Sequence, residues 1–221
     1  MATFLVEIIE RNMSLLDFSS DYVNVNLSFP NTTQHVASIL IGGWLIIQKN
    51  VPDTGSIFNR FWIDYRNGFG DPTGKYFWFG NEKLYQLTVT GNWKLRVEVQ
   101  SNDTGKWYSA EYASFRLGNE AGKYAINVSG FTGDAGDAFN VAAYPIWVTN
   151  GMRFTTIDND NDNLANHNCA SLNQGGWWWN YCGTSCLNSC TTTLNSWGTL
   201  QLQGLAPTRD VSSGRMMIKR N

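Results

Sequence analysis

The stretch from Asp158-Asn-Asp-Asn-Asp162 through Asn168-Cys169 to Gly175-Gly-Trp-Trp-Trp-Asn-Tyr-Cys182 combines three features seldom found together. Aspartates fall at every second position, two cysteines lie thirteen residues apart, and a tryptophan triplet sits between them. Carboxylates at that spacing cannot share one helical face. In a tight loop they can converge on one cation, with backbone carbonyls supplying further oxygens. The stretch is not an EF-hand, because Asn163 stands where the sixth-position glycine is needed and Cys169 where the twelfth-position glutamate is needed. The competing reading is an Asn/Asp-rich turn that holds no metal.

All four cysteines (Cys169, Cys182, Cys186 and Cys190) fall in one C-terminal window. Four thiolates can bind zinc; paired as disulfides they would point to an oxidising compartment. A turn could bring Cys186 and Cys190 within bridging distance, or the two could be free. The 221 residues suit one domain with a substantial core, or one domain plus a short appendage. With 43% hydrophobic and 15% charged residues the chain should fold. A net charge of −2 and the absence of a Lys/Arg run argue against nucleic acid as partner. Val36 to Ile47 is too short an apolar run to span a bilayer and reads as a buried strand at a sheet centre. Sequons begin at Asn12, Asn26, Asn31, Asn102 and Asn127, which suits a glycoprotein, although some could arise by chance in an Asn- and Thr-rich chain. The first ten residues do not read as a secretory signal, since Glu7 and Glu10 interrupt the apolar stretch.

Residues 3 to 17 carry apolar positions at partly helical spacing, so residues 1–20 are read as a helical extension and 21–221 as the globular domain. Tyr22 to Ser28 alternates like an exposed strand. Leu84 to Thr90 and Trp93 to Gln100, separated by Gly91-Asn92, read as a hairpin. Lys106 to Leu117 and Lys123 to Val128 read as further strands, and Asp64 to Asn67 as the end of a short helix stopped by Gly68. From Asn140 onward the chain is loop-like, and a loop that long is usually functional or clipped. Trp44, Trp62, Trp78 and Trp93 lie in strand or helix signatures and read as core. For Trp177, Trp178 and Trp179 a ligand-facing role stays open. No catalytic constellation can be assembled around the two histidines, His35 and His167, so the chain does not read as an enzyme.

Beyond the acidic loop, ordered motifs resemble the C-terminal globular domain of the fibrinogen-related proteins, which include fibrinogen chains, ficolins, tachylectin-type lectins, angiopoietins and invertebrate immune lectins. Gly42-Gly-Trp-Leu-Ile-Ile-Gln48 is similar to the family's GGWTVIQ strand. Phe58-Asn-Arg-Phe-Trp62, Tyr65 and Gly68-Phe-Gly70 resemble FNRxWxxYxxGFG, and Gly74-Lys-Tyr-Phe-Trp78 with Glu82-Lys-Leu-Tyr85 resembles GEFWLGxEKxY. Ala110-Glu-Tyr112, Gly130-Phe-Thr-Gly133, Ala135-Gly-Asp137 and Asn150-Gly-Met152 follow in the family's order, so the similarity covers roughly Ile41 to Asn188. The resemblance implies an α+β, fibrinogen C-terminal-like domain: a central, mainly antiparallel sheet, short helices and a loop-rich C-terminal calcium and ligand subdomain. It also implies a Cys169–Cys182 disulfide, with a Cys186–Cys190 bridge expected beside it. Calcium would be held by the Asp160 and Asp162 carboxylates and the Leu164 and Asn166 carbonyls, with Asp158 outside the first ring of ligands.

Family lectins hold acetyl groups in a pocket beside this loop, which carries over to Asn173, Trp179, Tyr181, Cys182 and Gly183, with a cis Tyr181–Cys182 peptide bond expected. The chain departs from the family pattern in having Gly183 where the family has histidine, and in lacking the N-terminal cysteine pair. Two functions follow. The first is a secreted, calcium-dependent, lectin-like protein of innate defence that binds acetylated sugars or related microbial glycans. The second is a structural or adhesive extracellular protein that binds other protein chains. The family's frequent N-terminal coiled coil admits a homo-oligomer in either case.

Overall fold

A computed structural model describes residues 22–28, 35–51, 57–183, 185–188, 195–206, 208 and 210–221. The expected helix over 3 to 17, and with it the 1–20 extension, lies outside the described residues. One antiparallel sheet organises the chain. Its strands are β1 (Tyr22–Ser28), β2 (His35–Ile41), β3 (Trp44–Asn50), β6 (Trp93–Ser101), β7 (Trp107–Leu117), β8 (Ile126–Gly133) and β11 (Asp210–Arg220). They lie side by side in the order β1-β2-β3-β11-β6-β7-β8. The short strands β4 (Phe69–Gly70) and β5 (Tyr76–Trp78) pair with each other, and β5 also pairs with β3; β9 (Ser185–Cys186) and β10 (Asn195–Trp197) attach through β11. The helices are short: α1 (Trp62–Asn67), α2 (Asn81–Thr88), α3 (Cys169–Leu172) and α4 (Thr199–Leu202). This is the α+β architecture expected, and no helix among the described residues is long and apolar enough to cross a membrane.

Four expectations about elements need correction or extension. The run Val36 to Ile47 is not one strand but a hairpin, in which Ile41 pairs with Trp44 across Gly42-Gly43. Both glycines have positive φ, +54° and +80°, as a two-residue turn matched to strand twist requires. Leu84 to Thr88 belongs to helix α2 rather than to a hairpin strand. Leu84, Leu87 and Thr88 are buried at helical spacing, and that packing prevails over the β propensity of the segment's end. Lys123 and Tyr124 adopt positive φ and form a turn, so β8 begins only at Ile126. Finally, β11 occupies the centre of the sheet, between β3 and β6, although the sequence after Asn140 reads as loop.

Alternation explains the solvent-facing half of the sheet. In β6, Trp93, Leu95, Val97, Val99 and Ser101 are buried, while Lys94, Arg96, Glu98 and Gln100 are partly exposed. On the inner side an aromatic core joins sheet, helices and C-terminal loops. Tyr65 packs edge-on against Trp78 at 5.4 Å, and Phe154 meets Trp178 at 5.1 Å. Trp78 and Trp93 are buried as expected, whereas Trp44 and Trp62 are only partly buried against the core. Gly68 ends α1 at φ +91°, and a Cβ there would sit 2.5 Å from the Phe79 carbonyl oxygen, so only glycine fits.

Candidate functional site

The acidic loop is anchored at both ends before any ligand is considered. The Asp158 carboxylate accepts the Trp62 N–H at 2.8 Å and the Thr156 hydroxyl at 2.7 Å, and so caps α1 from a distant part of the chain. Its engagement is with that helix, not with the two aspartates that follow. Asn161 donates to the Phe154 carbonyl at 2.8 Å and holds the loop to the core. At the far end the Asn168 side chain accepts the Ser171 N–H, capping α3, and donates to the Thr156 carbonyl.

Asp162 is the centre of the loop. One of its oxygens accepts the Leu164 N–H and the other the Cys169 N–H, both at 2.8 Å. Asp160 accepts the Asp162 N–H at 3.3 Å. Burial pushes the Asp162 carboxyl above the usual carboxylate range; the Cys169 and Leu164 N–H groups oppose this, and the adjacent Asp160 adds to the push. The calcium implied by the resemblance fits this arrangement. Two hard-oxygen carboxylates are brought together, and no ion pair to either is present among the described residues. Among the described residues no group of three or more His, Cys, Asp or Glu side chains could hold a metal, so a calcium ion at these two carboxylates would need backbone carbonyls for the rest of its oxygen set. The Leu164 carbonyl accepts the His167 N–H at 3.3 Å and keeps a second lone pair, while Asn166 sits in the left-handed region at φ +66°.

The Cys169–Cys182 disulfide is present, with the Cα atoms 5.0 Å apart. Cys186 is also disulfide-bonded; Cys190, the partner expected for it, lies outside the described residues. The Tyr181–Cys182 bond is trans, contrary to expectation. The chain reverses by dihedral angles instead, with Cys182 at φ +50° and Gly183 at φ +24°. The tryptophan triplet faces inward. Trp177, Trp178 and Trp179 are all buried; the Trp178 indole N–H donates to the Tyr124 carbonyl and that of Trp179 to the Gly175 carbonyl. Trp179 therefore offers no ring to a ligand. The Asn173 amide donates to the Cys169 carbonyl at 2.8 Å, which commits it to the end of α3. Tyr181, in contrast, is 45% exposed.

Sequence reasoning missed Asn180, which ties these parts together. It is buried, accepts from the Asn163 N–H through its backbone carbonyl at 3.0 Å and from the Asn163 amide through its side chain at 2.8 Å. Its amide nitrogen donates to the Pro145 and Val148 carbonyls at 3.3 and 3.2 Å. Next to it the Tyr181 N–H reaches the Ile146 carbonyl. The one available signal was an Asn wedged between the tryptophan triplet and Tyr-Cys. The segment it holds is a 3-10 turn, Pro145–Trp147, where the Tyr144 and Trp147 rings lie 4.3 Å apart. Tyr144, Ile146 and Tyr181 are exposed; the Tyr181 N–H bond to the Ile146 carbonyl brings the segments that carry them together as an apolar ridge, which Asn180 ties to Asn163 of the acidic loop.

Residues 37–204 match the family described as the C-terminal globular domain of fibrinogen beta and gamma chains. Among curated proteins, angiopoietin-4 of Bos taurus is 43% identical over 148 residues, 66% of this chain and 28% of that protein. Fibrinogen-like protein 1 of Bos taurus is 38% identical over 154 residues, covering 66% and 48%, and human ficolin-3 is 42% identical over 149 residues, covering 66% and 46%. The match thus spans less than half the length of each. Among solved structures, the fibrinogen-like globe domain of human ANGPTL2 superposes with a TM-score of 0.78 at 32% identity, over 97% of this chain and 98% of that one. A lamprey fibrin D-dimer complexed with the peptide Gly-His-Arg-Pro-amide gives 0.77 at 25% identity, over 97% and 72%.

Proposed function

The chain belongs to the family of the C-terminal globular domain of fibrinogen beta and gamma chains, and from that premise we propose that it is an extracellular recognition domain that binds other protein chains through the Tyr144–Ile146–Tyr181 ridge. Domains of this family bind rather than catalyse, and this one is not an enzyme. The observation that carries the reading is the Asn180 hub, which links the exposed ridge to the acidic loop through four hydrogen bonds. Asp160 and Asp162, with the Leu164 and Asn166 carbonyls, would hold calcium. When bound, the ion supplies positive charge that cancels the repulsion between the two carboxylates. Asn163 then keeps Asn180, and Asn180 keeps the 3-10 turn, in one position. Secretion is supported by the disulfide and by the family.

The acetylated-sugar reading retains one specific support: Tyr181, Cys182 and Gly183 all reach solvent beside the disulfide. The buried Trp179 and the trans bond weigh against it. A peptide display library screened on the calcium-loaded chain separates the two. The protein-binding reading expects selected peptides to lose at least about tenfold in affinity with Tyr181→Ser or Ile146→Asp, and to be released by chelator. Saturable binding of N-acetylglucosamine that Tyr181→Ser weakens and Ile146→Asp leaves unchanged, with no peptide selected, would favour the sugar instead.

A further inference from the structure

The solvent-facing side of the sheet carries a second constellation that the ridge and the acidic loop do not use. Trp107, at the start of β7, is 50% exposed. It pairs across the sheet with Gln100, and Ser109 and Glu111 follow it on the same face. Beside it runs a chain of ion pairs across three strands. Glu98 on β6 receives the Arg215 guanidinium of β11 on one oxygen at 2.6 Å and that of Arg96 on the other at 2.7 Å. Arg96 reaches on to Glu111 at 2.6 Å. The Asp134 carboxylate accepts the Ser109 N–H at 2.7 Å through a single oxygen. Arg96, Glu98, Trp107, Ser109, Asp134 and Arg215 line a cleft of about 440 Å³, with Arg215 lying 5.9 Å over the Trp107 ring.

We propose that this cleft is a binding site for a neutral carbohydrate unit, with the Trp107 ring as its floor. Three properties point to that class. The charges lining the cleft cancel, two arginines against Glu98 and Asp134, so an ionic ligand gains little that is not already paired. The cross-strand ion pairs fix the polar groups before a ligand arrives, and each guanidinium retains N–H donors beyond those it spends on carboxylates. Asp134 keeps its second oxygen as an acceptor, so donors and acceptors alternate around an exposed aromatic face. Sugar hydroxyls are donor and acceptor at once and match such a wall, while the C–H face of a pyranose ring covers the half of the tryptophan that Arg215 and the sheet leave exposed. A nucleic-acid strand would bring phosphates to a chain of net charge −2 and is disfavoured.

The test is a titration of the 15N-labelled chain with the methyl glycosides of galactose, glucose, mannose and N-acetylglucosamine, carried into the tens of millimolar. The expected result is a saturable shift of the Trp107 indole N–H with at least one neutral glycoside. Trp107→Ala should abolish the accompanying shifts of the Glu98 and Ser109 amides, and Asp134→Asn should weaken binding about tenfold. Trp107→Phe keeps a ring face and should retain binding, which guards against loss through misfolding. An Asp160→Asn/Asp162→Asn variant should bind as the native chain does, separating this site from the acidic loop. The proposal is overturned if no glycoside shifts these signals, if the Glu98 and Ser109 amide shifts survive Trp107→Ala, or if only a sulfated disaccharide binds.

Discussion

At the scale of single residues, position 183 shows how local backbone decides what a side chain could do. A Cβ on Gly183 would meet nothing closer than the Trp147 carbonyl at 3.7 Å, so space is available. The φ of +24° is the obstacle, since side-chain-bearing residues are disfavoured there by about 1–2 kcal/mol. Gly183→His, the change that would restore the family's residue, should therefore lower stability by about that amount in urea unfolding rather than create a tighter sugar pocket. Glu98 offers a prediction in pH. Burial alone would push its carboxyl up, yet Arg96 and Arg215 together hold it below the usual carboxylate range. Because the folded value lies below the unfolded one of about 4.3, the stabilisation is complete above that pH and is lost as pH falls through the folded value. Glu98→Gln should flatten this part of the stability–pH curve, leaving the unfolding free energy less steep below pH of about 4.

Among the elements, those legible in the sequence are the ones whose causes are local. The Gly68 stop of α1 depends on residues within a short window and is legible from them, whereas the Cys169–Cys182 pair is legible through the family resemblance, since spacing alone leaves zinc and free thiols open. The tryptophan triplet was ambiguous because burial depends on what packs against it: Tyr124, Phe154 and Phe139 come from distant segments. Helix α2 was obscured by the Leu-Thr-Val-Thr tail, whose β propensity is real but is overridden by tertiary packing. The Cys169–Cys182 bridge closes a loop of about fourteen residues, and the unfolded-state entropy model assigns it roughly 3 kcal/mol. Cys169→Ser/Cys182→Ser should lower stability by about that amount, read from denaturant midpoints. It should also weaken calcium, because the Cys169 N–H is one of the two donors that orient Asp162.

For the molecule as a whole, the last strand completes the centre of the sheet. Arg215 of β11 pairs with Glu98 of β6 across 117 positions of sequence, and Ser212-Ser213-Gly214 interrupts any alternation that would have revealed it. Its two neighbours, β3 and β6, belong to opposite halves of the sheet, so among the described residues β11 joins β1-β2-β3 to β6-β7-β8. Removing residues 210–221 should abolish cooperative unfolding altogether, not merely lower the midpoint, as followed by near-ultraviolet circular dichroism. The same long-range logic governs recognition: Asn180 joins segments 35 positions apart, which no motif in the chain announces. The central claim is that calcium at Asp160 and Asp162 orders the ridge through Asn180, and amide hydrogen exchange at Tyr181, whose N–H is bonded to the Ile146 carbonyl, tests it most directly. Calcium should slow that exchange at least about tenfold in the native chain, and Asn180→Ala should remove the slowing while calcium still binds by calorimetry. Equal exchange with and without calcium in the native chain, despite measured binding, would contradict the account.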